Sequence, residues 1–183
     1  MRARGGRLDV LLDAGRLPAA VLGPGEPLES ALGRAVDVSA LAHVEQLETR
    51  VLDEGSVATA YLGLVSSEAD VAGEWRAAAD VALPFVGAAQ SRLRAKLSYT
   101  NLGFALAPAT FTISELREVY VAALGHDVSA TNLQRVLVRR GVLERVDGRR
   151  APGRTGGRPA ALFRFASDRL EVTDEFATLR PPR

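Results

Sequence analysis

The chain has 183 residues, of which 47% are apolar, and a formal net charge of +1. This length allows one large domain or two small ones, and the apolar content is ample for packed cores, which excludes a disordered chain. The absence of cysteine excludes disulfides and thiolate metal sites, and the two isolated histidines, His43 and His126, offer no cluster for zinc or for a Ser/His/Asp triad.

The small net charge conceals two oppositely charged halves. Residues 1–87 carry 7 basic and 13 acidic side chains, whereas residues 88–183 carry 16 basic and 9 acidic ones. The N-terminal stretch MRARGGRLDVLL is basic and then apolar, but its apolar run is too short for a signal sequence or a membrane span. We therefore expect a cytoplasmic protein with two functional parts, of which the second can neutralise phosphates.

The acidic half contains three segments with a local structural signal. LDVLLD (8–13) and SVATAYLGLV (56–65) are predicted to be strands, the second because it combines β-branched and aromatic residues with a long apolar run. Between them, GPGEPLESAL (23–32) is typical of a turn that leads into a helix.

The basic half opens with a predicted linker helix over residues 84–100. Pro84 stands at a helix-start position, and apolar residues recur close to helical period. These apolar residues are Val86, Ala89, Leu93 and Leu97. The outer face of this helix is expected to hold Arg92, Arg94 and Lys96.

A second helix is predicted within FTISELREVYVAALG (111–125). Thr112 and Glu115 have the spacing of a capping box, and Gly125 supplies the stop. Between the two, apolar residues lie on one helical face, which we expect to be buried.

A third helix is predicted between Ser129, an N-cap residue, and Gly141, a stop signal. At about 100° per residue, one side carries Leu133, Val136 and Leu137, and the opposite side carries Thr131, Arg135 and Val138, flanked by Asn132, Gln134 and Arg139. The outward side chains are types that read base edges: arginine pairs with guanine, asparagine or glutamine with adenine, and methyl groups contact the thymine methyl.

Two short strands, VLERV (142–146) and AALFRF (160–165), are predicted after this helix. They flank DGRRAPGRTGGRP, a thirteen-residue connection with four glycines and four arginines, which is unusually long and basic for a hairpin loop. Helix, turn, helix and a hairpin with a basic tip are typical of a winged helix-turn-helix. In that fold the second helix enters the major groove, and the wing lies along the backbone or in the minor groove.

Four segments of the basic half carry a family resemblance: RLRAKLSYT, FTISELREVY, NLQRVLVRR and GGRPAALFRF. Together they resemble the C-terminal winged-helix domain of the Nudix-related transcriptional regulators, the NrtR family, over about residues 90–166. The resemblance implies a homodimer that binds a palindromic double-stranded DNA operator of genes for NAD or sugar metabolism. It also implies an N-terminal Nudix-like domain that senses a nucleotide such as ADP-ribose.

The fold class that follows is α+β, with a small vestigial Nudix-like α/β domain before a winged helix-turn-helix domain. The expected division is a degenerate Nudix-like domain over residues 1–83, a linker helix over 84–100, a DNA-binding domain over 101–167 and a C-terminal tail over 168–183. The tail is expected to pack loosely or fray. The linker helix is one candidate dimer interface.

A working Nudix box, G-x5-E-x7-R-E-x-x-E-E-x-G, uses glutamates on one helical face to bind the magnesium that activates water. Aligned on GPGE, this chain retains Glu26 and Arg34. It lacks the remaining positions, where Ala20, Ala35, Val38 and Ser39 stand. We therefore expect no catalytic residue, no bound metal and no cofactor, and a protein that is not an enzyme.

The residues expected to contact DNA form two groups. In the third helix they are Thr131, Asn132, Gln134, Arg135 and Arg139, and in the wing they are Arg149, Arg150, Arg154 and Arg158. Two alternatives stay open. One is a divergent Nudix hydrolase of ADP-ribose or a related nucleotide, in which Glu26, Glu29 and Asp37 improvise a metal site. The other is a protein-interaction module whose winged helix contacts another protein.

Overall fold

The computed structural model describes residues 1–53, 55–151 and 159–174. The strands in these parts of the chain are β1 (Arg2–Arg4), β2 (Arg7–Leu12), β3 (His43–Asp53), β4 (Ser56–Leu64), β5 (Glu74–Ala77), β6 (Leu143–Arg150) and β7 (Ala160–Phe165). The helices are α1 (Leu28–Ala35), α2 (Val86–Tyr99), α3 (Ile113–Leu124) and α4 (Ala130–Arg139). Within the described residues, no helix is both long enough and apolar enough to cross a membrane.

The N-terminal part contains two antiparallel sheets. One has the strand order β1-β2-β5, and the other is the long β3-β4 hairpin, which has two register shifts. Backbone hydrogen bonds between Met1 and residues 63 and 65 link the two sheets. The predicted strands at 8–13 and 56–65 correspond to β2 and β4. The turn and helix predicted over 23–32 correspond to the loop before α1 and to α1 itself. The sequence did not predict β1, β3 or β5.

The linker helix is confirmed as α2, and its predicted apolar residues are its buried ones: Val86, Ala89, Leu93 and Leu97. The prediction of an outer cationic face is wrong for Lys96, whose side chain is 16% exposed and pairs with Glu45 of β3. Arg92 pairs with the same carboxylate, with 3.4 Å between Arg92 Nη1 and Glu45 Oε1, while its side chain stays 40% exposed. They flank the buried stripe closely enough to reach a carboxylate that is distant in sequence.

The N-terminal and C-terminal parts share one hydrophobic core. Helix α3 packs against both β1 and β2, and the same cluster of buried side chains continues through α2 to Leu133 and Leu137 of α4. The mixed α and β composition expected from the sequence is present. The exact domain boundaries stay predictions, because the core crosses them.

The start of the C-terminal tail is ordered against the body, contrary to the expectation of loose packing. We call residues 167–174 the strap. Asn101, which is 2% exposed, donates from Nδ2 to the Arg169 carbonyl (2.8 Å) and accepts at Oδ1 from the Glu171 amide (2.8 Å). The amides of Thr173 and Asp174 both donate to the Tyr99 carbonyl. A buried amide side chain that satisfies backbone groups was not visible as a local sequence pattern. Residues 175–183 lie outside the described part.

Glu45 generates a prediction about pH. Burial raises its pKa, but the hydrogen bond from Lys96, the charge of Lys96 and contact with His43 lower it more, so the pKa lies below the ordinary value of 4.5. The ionised carboxylate of Glu45 therefore stabilises the fold at pH values above 4.5. This stabilisation is lost as the pH falls through the pKa of Glu45 in the folded state. At pH 7, Glu45→Gln should cost about 1 to 2 kcal/mol of unfolding free energy.

Urea denaturation of both proteins at several values between pH 7 and pH 3 measures this. The difference in unfolding free energy should narrow as the solution becomes more acidic. A difference that stays constant over the whole range would mean that the Glu45 charge does not stabilise the contact between α2 and β3.

Candidate nucleic-acid interface

Helix α4 is fixed to the core along one side only. The Ser129 side chain accepts a hydrogen bond from the Asn132 amide at its N-terminus. Leu133 and Leu137, one turn apart, are 8% and 2% exposed. The chain leaves the helix through Gly141, whose φ of 67° favours a residue without a side chain. The opposite side of α4 is consequently free to meet a ligand.

The exposed side of α4 carries all five side chains that the sequence predicted there. Four of them line a shallow recess of about 390 Å³ together with Val138; they are Thr131, Gln134, Arg135 and Arg139. The fifth, Asn132, accepts at Oδ1 a hydrogen bond of 2.8 Å from Arg135 Nη2. Asn132 therefore orients the guanidinium that stands at the centre of this face.

Val138 is not among the predicted contact residues, although the structure puts it inside the recess. Its side chain is 49% exposed. The sequence already predicts Val138 on the outward side of the helix with Thr131 and Arg135, although not as a DNA contact.

The first wing strand, β6, is longer than predicted, whereas β7 has the predicted bounds. Pairing continues past Val146 through a register shift to Arg149 opposite Ala161 and Arg150 opposite Ala160. Gly148, with a φ of 107°, permits this irregularity. The predicted thirteen-residue loop is therefore wrong, because Asp147–Arg150 belongs to β6. Two of the predicted contacts, Arg154 and Arg158, lie outside the described residues.

Arg149 and Arg150 are adjacent but have different surroundings. Arg150 lies 3.4 Å through Nε from Glu115 Oε1 and donates from Nη2 to the Thr110 carbonyl, so it ties the wing to the start of α3. Glu115 is also the partner of Thr112 in the confirmed capping box. Arg149 forms no ion pair with any described residue, and neither does Arg145, which is not among the predicted DNA contacts. In its described part the wing thus carries two paired arginines, Arg150 and Arg164, and two without an ion pair, Arg145 and Arg149.

The wing is joined to the core by Phe111. Its backbone exchanges two hydrogen bonds with Phe163 of β7, at 2.9 and 2.8 Å, and its ring packs 5.4 Å from that of Phe165. Phe111 itself is fully buried. The hairpin and α4 are therefore held in a fixed relation by a common apolar centre.

Arg140 closes α4 at its C-terminal end. Its Nη2 lies 2.8 Å from Asp174 Oδ2 of the strap, and the two side chains are 12% and 13% exposed. Arg140 is not among the residues expected to contact DNA, and its ion pair holds it on the buried side of α4.

The matched positions of the degenerate Nudix box form a structural contact. Glu26 pairs with Arg34, and it also accepts a hydrogen bond of 2.8 Å from the Gly23 amide. Arg34 Nη2 donates to the Val21 carbonyl as well. Asp37 accepts from the amide and hydroxyl of Ser39. Among the described residues, no three histidine, aspartate or glutamate side chains are grouped so that they could hold a metal ion.

Comparison with known proteins is informative mainly for the C-terminal part. The sequence profile of the NrtR DNA-binding winged helix domain matches residues 103–165. The ADPR responsive transcriptional repressor NtrR of Acinetobacter baylyi is 38% identical over 76 residues, which are 42% of this chain and 29% of that protein. The match therefore spans less than a third of this curated relative.

The fold is similar to solved structures over a larger region. The crystal structure of Shewanella oneidensis NrtR complexed with a 27mer DNA matches with a TM-score of 0.59 and 28% sequence identity, covering 76% of this chain and 73% of that one. The crystal structure of Shewanella oneidensis NrtR matches with the same TM-score and 27% identity. The likeness thus extends beyond the winged helix into the N-terminal part.

The ion pair between Arg140 and Asp174 generates a stability prediction. Arg140→Ala removes the guanidinium from a nearly buried carboxylate, so the unfolding free energy should fall by about 2 to 4 kcal/mol. Arg139→Ala is the matched control, because Arg139 is exposed, adjacent and without an ion pair among the described residues. It should cost no more than about 0.5 kcal/mol. Chemical denaturation followed by circular dichroism measures the unfolding free energy of both variants. Equal denaturation midpoints for the two variants would contradict a stabilising role for the ion pair between Arg140 and Asp174.

Proposed function

We infer the function of this chain from the NrtR family, whose DNA-binding winged helix domain profile matches residues 103–165. We propose that the chain is a DNA-binding transcriptional repressor of the NrtR type that responds to a nucleotide such as ADP-ribose. We further propose that it acts in the cytoplasm on double-stranded operator DNA. The named relatives support this, since one is called an ADPR responsive transcriptional repressor and another is solved with DNA.

The single observation that carries the proposal is the exposed face of α4. Its inner side is fixed by Leu133 and Leu137, while its outer side presents Arg135 between polar and methyl-bearing neighbours. A helix with this division of faces is suited to enter the major groove, because the groove is wide enough for a helix and presents donors, acceptors and methyl groups. We propose that Thr131, Asn132, Gln134, Arg135 and Arg139 face the bases.

The wing supplies the sequence-independent part of the proposed interface. Arg149 is exposed and unpaired within the described residues, so it is available to a phosphate without breaking an existing contact. Arg150 would have to exchange Glu115 for a phosphate, which lowers its net contribution. Arg154 and Arg158 remain proposed phosphate contacts on the sequence pattern alone.

We propose a homodimer, because one winged helix covers only a half-site and a palindromic operator requires two-fold symmetry. Arg92 and Lys96 of α2 are occupied by Glu45, which narrows the candidate interface on this helix to its exposed side. That side is formed by Gly87, Ser91, Arg94, Ala95 and Ser98.

The N-terminal part is proposed to bind a nucleotide without hydrolysing it. The only charged residues that match the Nudix box, Glu26 and Arg34, pair with one another, and Asp37 caps the turn at Ser39. These contacts use two of the three carboxylates that the hydrolase alternative would need, Glu26 and Asp37. The relative that responds to ADP-ribose supports sensing rather than turnover as the role of this part.

DNA binding generates two contrasting predictions, which need an operator obtained by selection from random duplexes. Arg135→Ala should weaken operator binding by about 1 to 3 kcal/mol and relax the preference at one guanine position, because a base-specific pair is lost. Arg149→Ala should weaken operator and scrambled duplexes alike. It should also reduce the slope of log K against log salt by about 0.9, since one phosphate contact is lost.

Arg164→Ala is the matched control for Arg149→Ala, because it removes the same charge from the wing but from a side chain already paired with Glu144. Binding isotherms at several salt concentrations compare the three variants. Unchanged affinity in both Arg135→Ala and Arg149→Ala would reject the groove assignment. Footprinting separates the remaining alternative, because a protein-interaction module would protect no discrete DNA site.

A nucleotide panel with magnesium tests the absence of catalysis. ADP-ribose and related nucleoside diphosphate derivatives should remain intact on incubation with the full chain, because the box lacks its metal-binding glutamate pair. Thermal unfolding with the same nucleotides shows whether any of them binds. Magnesium-dependent product release that disappears in Glu26→Gln would establish the divergent hydrolase instead.

A further inference from the structure

We propose that Val138 reads the methyl group of a thymine in the base step beside the guanine that Arg135 contacts. This would make Val138 a specificity-determining residue. The inference rests on the proposed DNA-binding function and extends it to the composition of the half-site. It concerns a side chain that makes no hydrogen bond and therefore contributes through shape and hydrophobicity alone.

The position of Val138 in the fold distinguishes it from an incidental surface valine. Single exposed apolar side chains are common and need no explanation by themselves. Val138, however, is 49% exposed inside the recess, together with Arg135, Arg139 and Thr131. Thr131 stands seven residues earlier, about two helical turns away on the same side of the helix.

The contact between Asn132 and Arg135 fixes the geometry of the reading face. At about 100° per residue, Asn132 and Val138 lie about 60° to either side of Arg135. Asn132 Oδ1 holds Arg135 Nη2 at 2.8 Å from one flank, which leaves the other flank to Val138. The guanidinium and the Val138 side chain are thus presented side by side and do not compete for the same space.

The spacing along the helix fits neighbouring base pairs. Three residues advance a helix by about 4.5 Å, and successive base pairs are about 3.4 Å apart. Arg135 and Val138 can therefore meet adjacent steps of the major groove. A valine there favours the thymine methyl over cytosine, whose exposed amino group would lose its hydrogen bond to water against an apolar side chain.

The experiment uses the full chain and an operator selected from random duplexes. Each thymine of one half-site is replaced in turn by deoxyuridine, which removes only the methyl group. The unmodified protein should lose about fourfold in affinity at one thymine, the amount expected for one methyl group leaving an apolar contact. That thymine should neighbour the guanine at which Arg135→Ala loses its preference.

Val138→Ala should bind the unmodified operator about fourfold more weakly and show no further loss at that one position. Its response to deoxyuridine elsewhere should match that of the unmodified protein. Val57→Ala is the matched control, since Val57 is an exposed valine of β4, 66% exposed and away from α4. Val57→Ala should change neither the affinity for the unmodified operator nor the response to deoxyuridine. Val138→Thr, which keeps the branched shape but replaces one methyl group, should lose part of the discrimination.

The outcomes distinguish failure of the role of Val138 from failure of the DNA-binding function. A selected operator whose deoxyuridine profile is the same for the unmodified protein and for both Val138 variants would overturn the role of Val138 and leave the DNA-binding function standing. Failure to select any duplex would overturn the proposed function and this inference with it. Thermal unfolding of each variant shows that a change in affinity comes from a folded protein.

Discussion

The short helix α4 depends on the rest of the chain for its shape. It has ten residues, whereas isolated helices shorter than about 12 to 15 residues are marginal in water. Its order therefore comes from tertiary contacts: the cap at Ser129, the burial of Leu133 and Leu137, and the ion pair of Arg140 with the strap. Every side chain proposed to read bases inherits its position from these contacts, which lie at the two ends and on the buried side of the helix.

The same packing divides the arginines of the basic half into two kinds. Arg140, Arg150 and Arg164 each have an acidic partner supplied by another element, and they hold the winged helix together. Arg139 and Arg149 have none within the described residues and remain available to an anion. The sequence does not distinguish these arginines, but in the fold one group forms ion pairs within the protein and the other group stays exposed and unpaired among the described residues. Charge alone therefore overestimates the number of phosphate contacts.

The sequence predicted well the elements whose signals are local. The capping box of α3, the buried stripe of α2 and the two faces of α4 all depend on residues within a few turns, and each is present as expected. The errors occur where distant residues meet. No sequence pattern near Arg92 or Lys96 predicts their ion pairs with Glu45, which lies about fifty positions earlier. Likewise, no pattern near Asn101 predicts its hydrogen bonds to the strap. The extended pairing of β6 likewise depends on an irregularity at Gly148 that a search for alternating residues does not detect.

These distant contacts also form a continuous mechanical connection between the two halves. Glu45 of β3 pairs with the side of α2. Tyr99 at the end of α2 and Asn101 just after it hold the strap, and the strap holds the end of α4 through Asp174. Each link joins an element to its neighbour without touching the reading face of α4. Under the proposed function, these links hold α2, the strap and α4 in a fixed relation without using any of the side chains proposed to face the bases.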